Sequence, residues 1–350
     1  MKRPDLKRLA VIGAGLIGTS HIERILASPK AKLVAVTDPD AGAAQIAEQA
    51  GVSYFSTLEA MIAGCEIDGA ILATPNHLHL EQARFLIEQG IAVLIEKPIA
   101  DDVEAASDFV RWAEGGKIPV LIGHHRRHNP LIQKAKSLID DGEIGQPLSL
   151  SMTTWLYKPD AYFNTEWRTR KGAGPVYINL IHDIDLARYF FGNVTQIYAM
   201  ESHQARGYEV EDTAAILLKF ENGALGTITI SDSIVAPWSW EHTAHENPAY
   251  PTTQQHAYQL GGSIGSLGVP NLALWQAKEE KSWWKPFSMT TPIYPQKDPL
   301  VVQLEHFCAL IAGEAEPLVS ARDGLAALRL IEAVKLSAAQ QRPVDMEHLR

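Results

Sequence analysis

The stretch Leu9-Ala10-Val11-Ile12-Gly13-Ala14-Gly15-Leu16-Ile17-Gly18 decides how the rest of the chain is read. Four apolar residues make a short buried strand, and the glycines after them are spaced Gly-x-Gly-x-x-Gly where strand turns into helix. Gly13 permits the tight turn, Gly15 lets a pyrophosphate come close to the backbone, and Gly18 lets helix and strand pack together. Leu16 and Ile17 open the helix. Their N–H groups have no partner within it and lie at the positive end of its dipole, where phosphate binds. A second strand follows and ends at Asp38, twenty residues beyond Gly18. A carboxylate there accepts from both hydroxyls of an adenosine ribose and repels the extra phosphate of NADP, so the pattern points to NAD rather than NADP. Asp38 also reads as a cap for the next helix.

Working outward, the first third of the chain alternates strand and helix. Leu9–Ile12, Lys32–Thr37, Ile67–Ala73, Ala92–Ile95 and Val120–Ile122 read as strands. Leu16–Ala27, a segment from Asp38-Pro39 to Ala50, one from an Asn76 cap to Gln89, and Asp102–Glu114 read as helices. Short apolar strands between helices predict a mostly parallel sheet covered on both faces, a dinucleotide-binding α/β domain at residues 1–123. After Gly123 the rhythm changes. Pro130–Ile139 and Asp183–Phe191 read as helices, while Leu148–Leu156, Gln196–His203, Thr213–Phe220 and Ala224–Ser231 alternate with period two. The last two are joined by a hairpin turn at Glu221-Asn222-Gly223. This predicts an α+β domain at 124–350. Ser233–Pro299 is the least regular part, yet Trp238, Trp240, Trp275, Trp283 and Trp284 call for burial. Two helices close the chain, Pro299–Ala312 and Ser320–Gln340, the last a candidate to pack back on the first domain.

The 350 residues suit two domains, and 46% hydrophobic with 21% charged residues is ordinary globular material. The net charge of -10, without a long basic run, argues against a nucleic-acid partner. No apolar stretch reaches the length of a membrane span. The start lacks the apolar core of a secretory signal. Cys65 and Cys308 fit neither a disulfide scaffold nor a thiolate metal site. A cytoplasmic protein without a metal is expected.

Two further clusters carry chemistry. Glu96-Lys97-Pro98 ends a very apolar strand, at the sheet edge where ligands bind in open α/β folds. The Lys97 ammonium there can hold a substrate hydroxyl and polarise its oxygen, or relay protons; Glu96 and Lys97 also read as a surface ion pair. Thr74, Pro75 and Asn76 follow another strand end and, with His79, Glu96 and Lys97, are assigned to the cofactor. The second cluster runs from Gly172 to Asp185. His182 and Asp185 are three apart and share a helix face. A neutral imidazole suits the base that an alcohol losing hydride requires, with Asp185 orienting it; His182 also reads as a helix-start residue with structural hydrogen bonds. His128, Tyr157, Trp167, Arg168 and Asn179 are the remaining substrate-side candidates, an aromatic plane with flanking donors being suited to a sugar ring. Trp167 equally suits core packing.

With these residues in place, nearly the whole chain resembles the glucose–fructose oxidoreductase / inositol dehydrogenase / MocA (Gfo/Idh/MocA) family. The resemblance rests on Gly13–Gly18, Asp38, Glu96-Lys97-Pro98, Trp167-Arg168, and the glycine-rich loop leading to His182 and Asp185. It implies a Rossmann-type N-terminal domain, a C-terminal domain built on a large open mixed sheet that forms dimer or tetramer contacts, and oxidation of sugars, polyols or their acids with Lys97 and His182 at the substrate. One departure stands out. Inositol dehydrogenase-like members carry an aspartate four residues before this histidine, where this chain has Ile178, with Asn179 next to it. Isoleucine cannot relay a proton.

The expected function is therefore NAD-dependent hydride transfer from a secondary alcohol of a sugar, inositol or related polyhydroxy compound. Two alternatives stand beside it: a lyase or hydrolase that oxidises its substrate transiently, and a non-catalytic NAD-binding regulator.

Overall fold

The computed structural model describes residues 6–170, 172–277 and 279–349. They form two compact units. One comprises the chain up to Asn129 and Lys297–Leu328; the other comprises Pro130–Gln296 and the chain from Arg329 onward.

The first unit is built around β1 (Lys7–Ile12), whose last four residues are fully buried. It is followed by α1 (Leu16–Leu26), β2 (Ala31–Thr37), α2 (Ala43–Ala50), β3 (Ser53–Phe55), α3 (Leu58–Gly64), β4 (Gly69–Leu72), α4 (His79–Glu88), β5 (Ala92–Ile95), α5 (Val103–Glu114) and β6 (Val120–Ile122). Six strands in the order β3-β2-β1-β4-β5-β6 make a wholly parallel sheet. The apolar runs are continuous because both faces are covered. The strand order reverses between β1 and β4, so their C-terminal ends flank the crevice where such sheets bind ligands.

Two expectations here need correction. The helix after Asp38-Pro39 begins only at Ala43, because the Asp38 carboxylate accepts the Asp40 N–H (2.8 Å) and Asp40 in turn accepts the Gly42 N–H (2.9 Å), holding the segment as a turn. Asn76 opens a single 3-10 turn, and its side chain caps no helix. By contrast Asp102 caps α5, accepting the Ala105 N–H at 2.7 Å.

The second unit begins with α6 (Pro130–Asp140) and β7 (Pro147–Trp155), then α7 (Pro175–Ile178), α8 (Leu180–Phe191), β8 (Val194–Ser202), β9 (Thr213–Phe220) and β10 (Leu225–Ser231). The irregular region contains α9 (Trp240–Thr243), β11 (Tyr258–Gly262), β12 (Gly265–Val269), β13 (Leu274–Gln276) and β14 (Ser288–Thr290). After them α10 (Pro299–Ile311) lies in the first unit, α11 (Ala321–Gln340) begins in the first unit and ends in the second, and β15 (Val344–Asp345) closes the chain. Nine strands, in the order β14-β13-β12-β11-β7-β10-β9-β8-β15, form one open sheet. It is mixed, because β7 and β10 run parallel while their other neighbours are antiparallel. Along β9 the even residues Ala214, Ile216, Leu218 and Phe220 are buried and the odd ones face outward, the period-two pattern expected. The expected burial of the tryptophans holds fully only for Trp240; Trp283 and Trp284 are almost wholly exposed. Among the described residues no helix is long and apolar enough to cross a membrane.

Candidate functional site

Candidate residues occur in both units. In the first, Gly13 adopts φ +91°, and a Cβ there would stand 2.5 Å from the Ala73 carbonyl oxygen. The glycine loop and the Thr74 loop therefore touch through backbone alone. Gly18 is equally closed, against the Gly13 carbonyl, whereas a Cβ on Gly15 would meet nothing within 4 Å. Open space thus lies above Gly15, in front of the first N–H groups of α1. Leu16 beside it is 92% exposed. A pyrophosphate fits this cradle. Asp38 accepts the Ala14 N–H at 2.7 Å, so its carboxylate is tied directly to the glycine loop at the end of β2. It does not cap α2.

Lys97 follows β5, with its peptide bond to Pro98 in the cis form. Its N–H donates to Glu96 Oε2 at 3.2 Å. Glu96 itself is buried, and Oε1 lies 2.8 Å from His21 Nε2 on α1. Burial pushes the Glu96 carboxyl up, but His21, with His125 and Lys97 beyond it, outweighs burial and holds it below the usual carboxylate range. Glu96 is a strut between the glycine-motif helix and the lysine turn. His79 plays a similar part. It is buried, its Nδ1 lies 3.0 Å from the Pro98 carbonyl and its Nε2 2.9 Å from the Thr74 carbonyl. Burial lowers its pKa, so a neutral ring donates to one carbonyl or the other. The expected cofactor residues Glu96 and His79 thus brace the loops that carry Lys97, Thr74 and Pro75. Thr74 donates its hydroxyl to Gln82 at 2.7 Å, while Pro75 and Asn76 are exposed beside it.

In the second unit His182 sits in the first turn of α8, with Asp185 one turn on and buried. The neighbouring Asp183 is the anchor. Its carboxylate accepts Thr154 Oγ1 at 2.7 Å and the Tyr258 hydroxyl at 2.5 Å, which ties α8 to β7 and β11. The glycine loop before the helix is fixed separately: the Val176 N–H donates to Glu211 Oε1 at 3.0 Å, and a Cβ on Gly174 would collide with the Glu211 carboxylate. Glu211 also takes a hydrogen bond from Lys335 Nζ at 2.8 Å, which is shared with Glu201 at 2.9 Å. These side chains, with Tyr177, line a cavity of about 580 Å³.

The other candidates separate. Trp167 (56% exposed) and Tyr157 offer aromatic surface. Arg168 stacks on Tyr162, its guanidinium carbon 4.1 Å from the ring centre. Asn179 precedes α8, its Oδ1 buried without a hydrogen-bond partner. His128 is the correction: it is 1% exposed, inside the first unit, with Nε2 2.8 Å from His306 Nδ1 of α10. Burial, reinforced by His306, His125 and Arg127, pushes its pKa down to about 3. A ring so enclosed has no surface for substrate. His21, Gln82, Thr154, Glu211 and Tyr258 were not singled out from the sequence. A polar residue that fastens a loop across the fold leaves no local spacing to read.

Two stretches of the chain match models of one family. Residues 7–124 match a family model described as the oxidoreductase family with an NAD-binding Rossmann fold, and residues 132–267 match the GFO/IDH/MocA C-terminal domain. The chain is 27% identical over 348 residues to an inositol 2-dehydrogenase of Rhizobium meliloti (strain 1021), covering 97% of this chain and 99% of the relative. It is 33% identical over 239 residues to a scyllo-inositol 2-dehydrogenase (NAD(+)) of Bacillus subtilis (strain 168), covering 64% of this chain and 67% of that one. Among solved structures, the WlbA dehydrogenase from Bordetella pertussis, crystallised with NADH and UDP-GlcNAcA, superposes with a TM-score of 0.79 at 25% identity, over 97% of this chain and 99% of that one.

Proposed function

Because the chain belongs to the GFO/IDH/MocA oxidoreductase family and is an NAD-dependent dehydrogenase, we propose that it oxidises a secondary alcohol of a sugar, an inositol or a related polyhydroxy compound. NAD, when bound, would supply the acceptor for the hydride of the carbinol carbon. Gly13, Gly15, Leu16, Ile17 and Gly18 hold its pyrophosphate, Asp38 its adenosine ribose, and Thr74, Pro75 and Asn76 border the nicotinamide end. Lys97 holds the substrate oxygen and stabilises the negative charge growing on it. His182 takes the hydroxyl proton, and Asp185 on the same helix face orients it. With Ile178 in place of a relay carboxylate, the proton has no exit through that position. Asn179, Tyr157, Trp167 and Arg168 hold the rest of the substrate.

The observation that supports this reading most is the anchoring of α8. Asp183 clamps the helix to the sheet, so His182 is presented from rigid structure rather than from a loop. A panel of polyols, sugars and sugar acids, read by NADH absorbance, tests it. Lys97→Ala and His182→Ala are each expected to lower kcat by about 100-fold or more while NAD still binds, as loss of a general base or oxyanion-holding group does. Full turnover in both variants refutes the assignment. Tightly held NAD with product formed but no net NADH points to the transient-oxidation alternative.

The outward face of the nine-stranded sheet carries Met200, Leu217 and Leu225, all exposed. We propose that this apolar face joins copies of the chain into a homodimer or homotetramer. Sedimentation as a monomer at micromolar concentration refutes it.

A further inference from the structure

The loop that leaves β7 carries a cation that the roles above do not use. Lys158 is nine-tenths buried, its side chain 10% exposed, yet Nζ has no hydrogen-bond partner. Its backbone is fixed on both sides: its N–H donates to the Asp232 carbonyl at 2.9 Å, and Arg206 Nη2 donates to its carbonyl at 2.6 Å. The nearest carboxylate oxygen, Asp232 Oδ2, is 3.7 Å away, and that group is already engaged by Arg206 Nε at 3.2 Å and the Ser233 hydroxyl at 3.2 Å. Glu211 and Glu241 act on Lys158 only through their charge. Lys158 Nζ stands 5.1 Å from the centre of the Tyr162 ring, which also stacks with the Arg168 guanidinium. Arg168 gives Nη1 to the Tyr162 carbonyl at 2.9 Å, and its Nε is likewise buried without a partner. Two cations with unmade hydrogen bonds therefore share one phenol ring.

Such donors are costly to bury unless an acceptor meets them, and native structures seldom leave them unmet. The ammonium has a long ion pair to Asp232 at 3.7 Å but no hydrogen-bonded acceptor, and a hydroxyl would supply an acceptor without a charge-assisted bond. A carboxylate supplies both: its two oxygens accept in the directions that a guanidinium and an ammonium offer. The location also fits. β7 and β10 run parallel, so Lys158 and Asp232 leave the sheet at the same end. Thr154, at that end of β7, holds the helix of His182 through Asp183. We propose that Lys158, with Arg168, binds a carboxylate of the substrate, so that the compound oxidised is a polyhydroxy acid rather than a neutral polyol. This rests on the polyol-oxidising reading above and narrows it.

Calorimetric binding to the NAD-loaded protein is the primary test, because it needs no turnover. Aldonic and uronic acids are compared with their amides and with the corresponding neutral polyols. The acids are expected to bind at least about 10-fold tighter, the worth of a charge-assisted hydrogen bond. Lys158→Met is expected to remove most of that preference and Lys158→Arg to restore part of it. In turnover the loss in Lys158→Met should fall on KM, with the acid-to-neutral ratio of kcat/KM moving toward one. Equal affinity of wild type for acids and amides, stronger binding of sugar phosphates, or an unchanged ratio in Lys158→Met overturns the proposal. If Lys158→Met does not fold, the wild-type comparison decides. NADH production from neutral polyols alone refutes the carboxylate site but leaves the dehydrogenase reading standing. Selective acid binding without NADH from any alcohol does the reverse.

Discussion

Replacing Asp183 with alanine removes the tie between α8 and the sheet. The carboxylate is fully buried and accepts from two hydroxyls, Thr154 at 2.7 Å and Tyr258 at 2.5 Å, in a site closed to water. Hydrogen bonds to a charged group contribute about 1.5–3 kcal/mol each, and the stranded hydroxyls add a desolvation cost. Relief of the buried charge offsets part of this, which leaves a net loss of about 3 kcal/mol. For a unit of this size, that lowers the melting transition by roughly 6–12 °C. Asp183→Asn keeps one acceptor and should lose about half as much. Differential scanning calorimetry reads the shift, and turnover is measured on the same samples below the transition. His182 is the residue just before it in the chain, so kcat should fall with the loosened helix. If Asp183→Ala melts within about 2 °C of wild type, the clamp is not what positions the histidine.

Further outcomes follow from other parts of the molecule. Gly15→Ala should leave the melting temperature unchanged, since its Cβ meets nothing, but weaken NAD binding in a fluorescence titration; Gly13→Ala should lose both stability and NAD, since its Cβ lies 2.5 Å from the Ala73 oxygen at φ +91°. Equal effects in the two variants would contradict the cradle. Asp38→Ala should raise the KM for NAD about 10-fold and shift the NADP-to-NAD ratio of kcat/KM upward, a ratio that stays constant if Asp38 only braces the Ala14 N–H. His128 titrates near 3 when folded against 6.5 ordinarily, so the unfolded chain takes up its proton first as pH falls. Stability from this residue is whole above about pH 6.5 and drains away toward pH 3, a total of about 5 kcal/mol. Urea unfolding of His128→Gln should show a flatter pH dependence across that window, and an unchanged slope would count against the buried pair.

The first unit was legible because its signals are local. A glycine spacing, five apolar runs and a carboxylate at a strand end each occupy a few consecutive residues, and β5 and β6 fall where they were read. The two elements missed there, β3 and α3, are too short to show a period. In the second unit, β9 followed from alternation, while β11 to β14 did not. They are three to five residues long, two of them rich in glycine, and their pairing is set by neighbours far along the chain. The candidate site divides in the same way. Lys97, His182 and Asp185 stand in recognisable runs. Glu96 beside Lys97, and His79 and His128 at other strand ends, turn inward, and only the positions of His21, Pro98 and His306 explain why. Lys158 has an unremarkable sequence setting; its burial comes from the packing of Tyr162, Arg206 and Asp232 around it.

The first unit is not contiguous. The chain leaves it after Asn129 and returns with Lys297–Leu328, where Phe307 and Ile311 of α10 close over Gly69 at the start of β4. A fragment cut after the sixth strand would lack that cover and expose the apolar underside of its own sheet. On the ribosome the nucleotide-binding half likewise waits for nearly the entire polypeptide to emerge, so its completion is a late event of synthesis even though most of its residues are made first.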